Sequence, residues 1–451
     1  MGSSLASFQH GVHPLEHKAP TRELAVQRMR FVERYVMPLS QHLGAPSTPV
    51  VEEGQAVQRG QLIAAPGGFV STSLHSPVQG RVSSIGPQRL PSGAMGPAIV
   101  VVADSFDAQR LPPVPAAPGE PSLDALVDGV RGAGIVGLGG AAFPTQVKYQ
   151  VPDGRRIHTL VINGAECEPW LTCDHRTMLE RPRAVVRGIA IVAAAMGVDG
   201  VIVGVEANKL DAVAALDAAV RSVGGDGPPI QVRPCKVKYP QGAEKMLIEA
   251  LTGVQVPGGK LPLHVGMVVN NVGTMAAVDD WFRKGQPLIE RVVTVSGPGV
   301  AQPANLMVPI GTPVRALLEA SGGVDPEAAL VIMGGPMMGQ PLPSIDVPVV
   351  KGTSGVLVFR ESDLAPLEEH ACIRCGRCLE ACACLLNPSV LGRLARKERW
   401  QDMVDHHLLD CMECGACSFT CPSRIPLVQQ FRVAKAQLRR IAALEKQRGG
   451  A

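Results

Sequence analysis

The apolar positions change period several times along the chain, and each change predicts a different kind of element. Thr21–Met37 reads as a helix, with Thr21 as its N-cap and Glu23 near its start. After it come short β-rich pieces between glycines: Pro49–Gly54, Val57–Ile63, His75–Val82 and Ala98–Ala103. From residue 122 to 285 helix and strand patterns alternate. Helices are expected from Ser122 through Val130, at Arg176–Met196, Lys209–Val223, Gln241–Leu251 and Thr274–Arg283. Strands are expected at Thr159–Ile162, Val201–Val205 and Val265–Val269. Short strands return at Arg291–Ser296, Asn305–Pro309 and Ala329–Met333, with a helix at Pro313–Ala320 between them. Val428–Lys446 reads as a polar helix and tail. One stretch, Gly188–Ala207, is apolar apart from Asp199 and Glu206 and is long enough to suggest a membrane span. The stop at Met196-Gly197 and the turn Val198-Asp199-Gly200 break it into a helix and a strand, so any membrane association is expected to be peripheral.

These patterns divide the chain into a multidomain α/β and α+β protein. Residues 1–40 form an N-terminal segment whose His10, His13 and His17 are read as a loop packed on the next module rather than a metal site. Residues 41–104 resemble the barrel-sandwich modules of biotinyl and lipoyl carriers. Such carriers need a lysine at a hairpin tip. None lies between Lys18 and Lys148, so a docking or scaffold role is expected. Residues 105–121 carry Pro112, Pro113, Pro115, Pro118 and Pro121 and read as a stiff, extended linker. Residues 122–286 read as a Rossmann-like α/β domain with a parallel sheet. Residues 287–350 look like a β-grasp module of the SLBB kind attached to flavin subunits, 365–430 like a two-cluster ferredoxin-type helical domain, and 431–451 like a tail.

Composition narrows the chemistry. A net charge of +3 with no basic-aromatic array gives no footprint for nucleic acid. Twelve cysteines could suggest disulfides, but eight of them stand in two runs and Met1–Ser7 is not a signal peptide, which favours reduced thiols in a cytoplasmic compartment. The runs are Cys372-x2-Cys375-x2-Cys378-x3-Cys382 and Cys411-x2-Cys414-x2-Cys417-x3-Cys421-Pro422. This is the spacing of two cubane [4Fe–4S] clusters, in which the fourth cysteine of each run serves the other cluster. One cluster is then expected on Cys372, Cys375, Cys378 and Cys421, the other on Cys411, Cys414, Cys417 and Cys382. Zinc is the structural alternative. The first run is irregular: Ala383 replaces the usual proline, and Cys384 follows as an alternative ligand to Cys382. The spacer between the runs carries Arg393, Arg396, Lys397 and Arg399, read as a solvated helix face or as a docking face for an acidic ferredoxin-like partner.

Gly132-Ala133-Gly134-Ile135-Val136-Gly137 matches a dinucleotide fingerprint, but it follows a helix instead of a strand and is discounted. The better phosphate- or flavin-binding loop begins at Gly137-Leu138-Gly139-Gly140, with Pro144 starting a short helix through Lys148. Two polar loops follow predicted strands, Asn163–Pro169 and Asn270–Thr274, where ligands bind in open α/β sheets. Tyr239–Lys245 adds a glycine-plus-acid turn.

Together these loops resemble those of the flavin-binding subunit of respiratory complex I. More closely, the chain resembles the RnfC family, the peripheral iron–sulfur and flavin component of the Rnf complexes, which are ion-translocating ferredoxin:NAD oxidoreductases. The likeness runs from Gly11-Val12-His13-Pro14 and Pro38–Gly44, through the glycine loop and Asn163–Pro169, to both cysteine runs. It implies FMN contacts at Gly137, Gly139, Gly140, Lys148, Asn163, Glu166, Asn270, Asn271 and Thr274, and NAD(H) contacts at Phe143, Glu168 and Glu244. Leu138, Ala165 and Ala243 stand where complex I usually has arginine, aspartate and glutamate. The resemblance further implies a peripheral oxidoreductase (translocase) subunit on the cytoplasmic side of the bacterial inner membrane. Its partners would be the other Rnf complex subunits, RnfA, RnfB, RnfD, RnfE and RnfG, above all the ferredoxin-like RnfB, with ferredoxin served indirectly. A flavin-free iron–sulfur relay is the competing reading. No protein side chain is expected to act as an essential acid or base.

Overall fold

The computed structural model describes residues 5–112, 121–152, 154–223, 227–364 and 368–449. Residues 113–120 of the expected stiff linker lie outside these residues. At the centre is a four-stranded sheet, in spatial order Ile230–Cys235, Gly200–Glu206, Thr159–Gly164 and Met267–Asn271, with every pairing parallel. Alternate residues of its strands feed two cores, as a parallel sheet covered on both faces requires. Leu160 and Ile162 pack with Val185, Ile189, Leu216 and Met275 of the helices on one face. Val161 packs with Leu247, Ile248 and Leu251 of helix Glu244–Thr252 on the other. On the first face, helices Pro182–Met196 and Val272–Lys284 approach closely at Gly188, where a Cβ would lie 1.9 Å from the Met275 carbonyl oxygen.

The expected helix Arg176–Met196 is in fact two, Cys173–Glu180 and Pro182–Met196. Pro182 cannot donate to the preceding turn and suits the first helical position, so the chain breaks at Arg181. The apolar stretch that follows ends, as expected, at a left-handed Gly197 cap before the strand from Gly200. No helix among the described residues is long and apolar enough to cross a membrane.

The expected helix Thr21–Met37 does not form. Arg34–Pro38 is a strand antiparallel to Met95–Ala103, and Gln27–Arg28 pairs in parallel with Ala304–Pro309. Tyr35, Val36 and Met37 are all buried, and such aromatic and β-branched residues follow the strand available to pair with them. The barrel-sandwich module therefore takes its first strand from before residue 41. Its two sheets enclose Tyr35, Met37, Ile63, Leu74, Val82, Ile99 and Val101. The next sheet, around Glu290–Ser296, likewise extends past residue 350: Gly355–Arg360 lies between Glu290–Ser296 and Ala328–Met333. Helix Val314–Ala320 covers it through Val314, Leu317 and Leu318.

The cysteine domain is a structural duplication. Arg374, Gly376 and Leu385 have positive φ in the first half, and Glu413, Gly415 and Arg424 have it at the matching places in the second. Short helices Arg377–Glu380 and Ala416–Phe419 correspond, as do the starts of helices Pro388–Ala395 and Leu427–Gly449. A common core of Leu391, Met403, Leu408, Leu427 and Phe431 joins the halves. Of the four spacer cations, Arg396 pairs with Glu369 and Arg399 with Asp402, which reduces the free positive charge on that face.

Candidate functional site

In chain order the central strands stand 3-2-1-4, so the sheet reverses direction between Thr159–Gly164 and Met267–Asn271. Two connections there leave in opposite directions and open a crevice at the carboxyl ends of the strands. The two polar loops singled out from the sequence begin at these ends. The glycine loop reaches the same place: the Leu138 N–H donates to the Thr274 hydroxyl at 3.0 Å, and Gly139 lies beside Asn271. Gly137 donates to the Phe143 carbonyl at 2.8 Å, closing the loop into a tight turn. Gly140 has φ of +111° with open space where a Cβ would point, a conformation that suits only glycine. Among the described residues, the N–H groups of Gly139 and Gly140 find no protein acceptor, as an anion cradle would need. Pro144 caps the short helix Thr145–Tyr149, from which Lys148 donates to Glu244 and to the Val269 carbonyl, each at 2.8 Å.

Several expected ligand residues also perform local tasks. Asn163 accepts from the Ala165 N–H and donates to the Gly242 carbonyl, tying two loops together. Asn270 donates to the buried Tyr149 hydroxyl. Asn271 caps helix Val272–Lys284 by accepting from Gly273 and donates to Asp174 at 2.7 Å. Glu166 accepts from the N–H groups of Asp174 and His175, at the start of helix Cys173–Glu180, and from the Cys173 thiol. Burial, then the Glu166 charge, pushes the Asp174 carboxyl up to about 7. Replacing Asn271 with alanine removes the cap and the Asp174 contact together. A loss of about 1–2 kcal/mol, read as a lowered denaturation midpoint, is expected.

Glu168 faces elsewhere. Its carboxylate accepts from the Met337 and Met338 N–H groups, and burial pushes it up to about 7. The loop that carries it is held by the N-terminal segment, a feature the sequence did not reveal. Buried Lys18 donates to the carbonyls of Glu166, Glu168 and Leu171 at 2.8, 2.9 and 2.5 Å. His17 stacks on Trp170 at 4.6 Å between ring centroids. His10 and His13 contact the carbonyls of Cys382 and Val237. The three histidines thus pack against separate elements and do not gather into a metal site.

Beyond the crevice the α/β domain meets the second cysteine run. The buried Tyr239 hydroxyl donates to the Cys414 carbonyl at 2.6 Å, and Val12, Tyr239, Ala381 and Ala416 pack around it with Cys167 and Met337. The thiols fall into two sets. Burial raises Cys378, and its thiol neighbours are Cys421, Cys372 and Cys375. Burial also raises Cys411, Cys414 and Cys417, and each has Cys382 as a neighbour. Cys384 stands next to Cys382 and Cys411. The left-handed residues inside each run curl the backbone so that N–H groups turn toward sulfur, as the Glu413 N–H does toward Cys411 Sγ at 3.4 Å. Four thiols in the first set, and four with Cys384 as a fifth in the second, suit one cubane cluster each.

An α/β crevice floored by a glycine loop and seated on paired cysteine runs defines an electron-transfer protein of the flavin and iron–sulfur class. Residues 130–280 match the Nuo51 FMN-binding domain, 6–106 the RnfC barrel sandwich hybrid domain and 292–341 the SLBB domain. The chain is 41% identical over 445 residues to the RnfC-type component of the proton-translocating ferredoxin:NAD(+) oxidoreductase complex of Clostridium ljungdahlii, covering 98% of this chain and 96% of that one. It is 38% identical to the counterpart in the Na(+)-translocating complex of Acetobacterium woodii, covering 96% and 97%. The counterpart in the ion-translocating oxidoreductase complex of Pseudomonas aeruginosa is 42% identical, and the match spans 97% of this chain but 56% of that protein. The chain belongs to this family, the RnfC proteins of the ion-translocating ferredoxin:NAD oxidoreductase, or Rnf, complexes. An NAD+-reducing [NiFe]-hydrogenase structure shares the fold, at a TM-score of 0.52 and 21% identity over 71% of this chain and 65% of that one.

Proposed function

We propose that this chain exchanges electrons between NAD(H) and two [4Fe–4S] clusters by way of FMN held at the switch-point crevice. The observation that carries this is the convergence of the glycine loop, the Asn163 loop and the Asn270-Asn271 turn on one crevice whose outer wall touches the cluster run at Cys414. Bound there, FMN would accept two electrons as hydride and release them singly, which matches a nicotinamide to one-electron clusters.

The chain's own part is binding and placement. Gly137, Gly139 and Gly140 would let backbone N–H groups close on the flavin or its phosphate. Lys148, fixed by Glu244 and the Val269 carbonyl, would set a positive charge at the crevice. Asn163, Asn270, Asn271 and Thr274 are already oriented by their own bonds. Glu166 would hold the loop wall. Phe143, Glu168 and Glu244 would line the nicotinamide side, although Glu168 must leave the Met337 and Met338 N–H groups to reach a nucleotide. Cys372, Cys375, Cys378 and Cys421 would hold one cluster, and Cys411, Cys414, Cys417 and Cys382 the other.

In this reading the chain is a peripheral subunit on the cytoplasmic side of the inner membrane. It docks on the complex's other subunits, the ferredoxin-like RnfB in particular, while translocation belongs to the membrane subunits. Purified anaerobically, the chain is expected to carry about eight iron and about eight sulfide and to bind FMN, with NADH bleaching its visible spectrum. Two zinc and no sulfide would refute the cluster assignment. No bleaching with FMN present would leave a relay subunit instead.

A further inference from the structure

The glycine loop has Leu138 where the complex I loop usually has arginine, yet two buried cations of the neighbouring domain lie directly beneath it. Arg291 donates through Nη2 to the Leu138 carbonyl at 3.2 Å and through Nη1 to the Lys351 carbonyl at 2.5 Å. Lys351, which is fully buried, donates through Nζ to the carbonyls of Gly134 at 2.6 Å and Ser73 at 2.7 Å. Gly352, next in sequence, packs against the Gly140 carbonyl, 3.0 Å from where its Cβ would be. The approach to the loop at Gly134 and the loop itself at Leu138 are thus each held by a cation through a carbonyl oxygen. Among the described residues its N–H groups at Gly139 and Gly140 have no protein acceptor.

We infer that Arg291 and Lys351 are positioning residues that turn the glycine loop into an anion seat, supplying from below the positive charge that Leu138 does not, and that the anion is the phosphate of FMN. This rests on the flavin reading above. Four features support it. The Leu138 carbonyl held by Arg291 leaves its peptide dipole with the Gly139 N–H end pointing the other way, toward the ligand, while Lys351 fixes the approach to the loop through the Gly134 carbonyl. Burial pushes the Lys351 amine down to about 7, so it keeps part of its charge at neutral pH, and among the described residues no carboxylate hydrogen-bonds it to cancel that charge at contact distance. Arg291 is faced by Cys173 and Asp174, and the Asp174 carboxyl is held up to about 7. The imidazoles nearest Lys351, His42 and His75, are both pushed down by burial, with Lys351 adding to the shift, so neither contributes charge at neutral pH.

The test compares two flavins on the deflavinated full chain under anaerobic conditions. FMN and riboflavin carry the same ring, and only FMN carries the phosphate. Flavin fluorescence quenching gives the affinity of each for the wild type, Lys351→Met and Arg291→Gln. Each variant is expected to weaken FMN by about tenfold or more while weakening riboflavin much less. Arg291→Gln keeps a donor near the Leu138 carbonyl, so it reports on charge even where Lys351→Met folds poorly. An unchanged FMN affinity in both variants overturns the inference. So does an equal loss for FMN and riboflavin, because that marks a merely structural role. A wild type that quenches neither flavin overturns the flavin reading, and the inference with it.

Discussion

Replacing Cys382 with serine is expected to remove the cluster held by Cys411, Cys414 and Cys417 and to leave the other intact. In a two-cluster ferredoxin fold the fourth cysteine of each run crosses to the partner cluster. The thiol neighbourhoods follow that rule, with Cys382 among the second-run thiols and Cys421 among the first. Iron should fall from about eight to about four per chain, and one of two reduced-cluster EPR signals should vanish. Cys421→Ser should remove the complementary signal. Cys384 sharpens the test, because it stands near Cys382 and Cys411 and could replace the lost thiol. If Cys382→Ser keeps both signals and the Cys382→Ser, Cys384→Ser double variant loses one, Cys384 can serve as the ligand. Loss of the first-run signal from Cys382→Ser would refute crossed ligation. Because Tyr239 touches the Cys414 carbonyl, Cys382→Ser should also slow reduction of the remaining cluster by NADH, which Cys421→Ser should not do.

How much of this was legible beforehand depended on whether the signal was local. Cysteine spacing is local, and so is the stop at Gly197 that turned a membrane-length run into a helix and a strand. The switch-point crevice was half legible: the polar loops could be placed at strand ends. Strand Ile230–Cys235, whose burial is broken and which carries Pro234, was not recognised, so the 3-2-1-4 order could not be drawn. Thr21–Met37 failed because its partners are far away in sequence, at Met95–Ala103 and Ala304–Pro309. Arg181-Pro182 was a local signal that the longer helical pattern outweighed. The ligand residues show a further limit. Asn163, Glu166 and Asn271 stand in loops at strand ends, where such side chains also serve as turn or cap residues, and each has that role in the fold. The buried cations Lys18, Arg291 and Lys351 gave no sign of themselves, because a lysine or arginine in a sequence reads as surface until tertiary structure encloses it.

Lys18 is where that enclosure should have the largest effect on stability. Its ammonium is the sole side-chain donor to three buried carbonyls of the Glu166–Leu171 segment among the described residues. Burial pushes its pKa down, and the nearby Glu166 charge opposes that shift. Lys18→Met keeps the length of the side chain and removes every donor. Three carbonyls and the Glu166 charge then lose their partner in a dry site, a loss of about 3–5 kcal/mol. The loop also bears Asn163, Glu166 and Glu168, so FMN affinity should fall by about tenfold or more, while iron stays near the wild-type value because the clusters lie in another domain. The pH dependence has a definite sign. A lysine whose folded pKa is depressed binds its proton more weakly in the native state, so the wild type gains stability as pH rises through the window below 10.5. Lys18→Met lacks that gain, and the gap between the two should widen with pH in thermal melts. A variant that melts with the wild type, holds FMN as tightly and shows the same pH slope would mean that the N-terminal segment only covers the loop. The expected result instead makes residues 16–21, through Glu16, His17, Lys18 and Thr21, the brace that sets the wall of the flavin crevice.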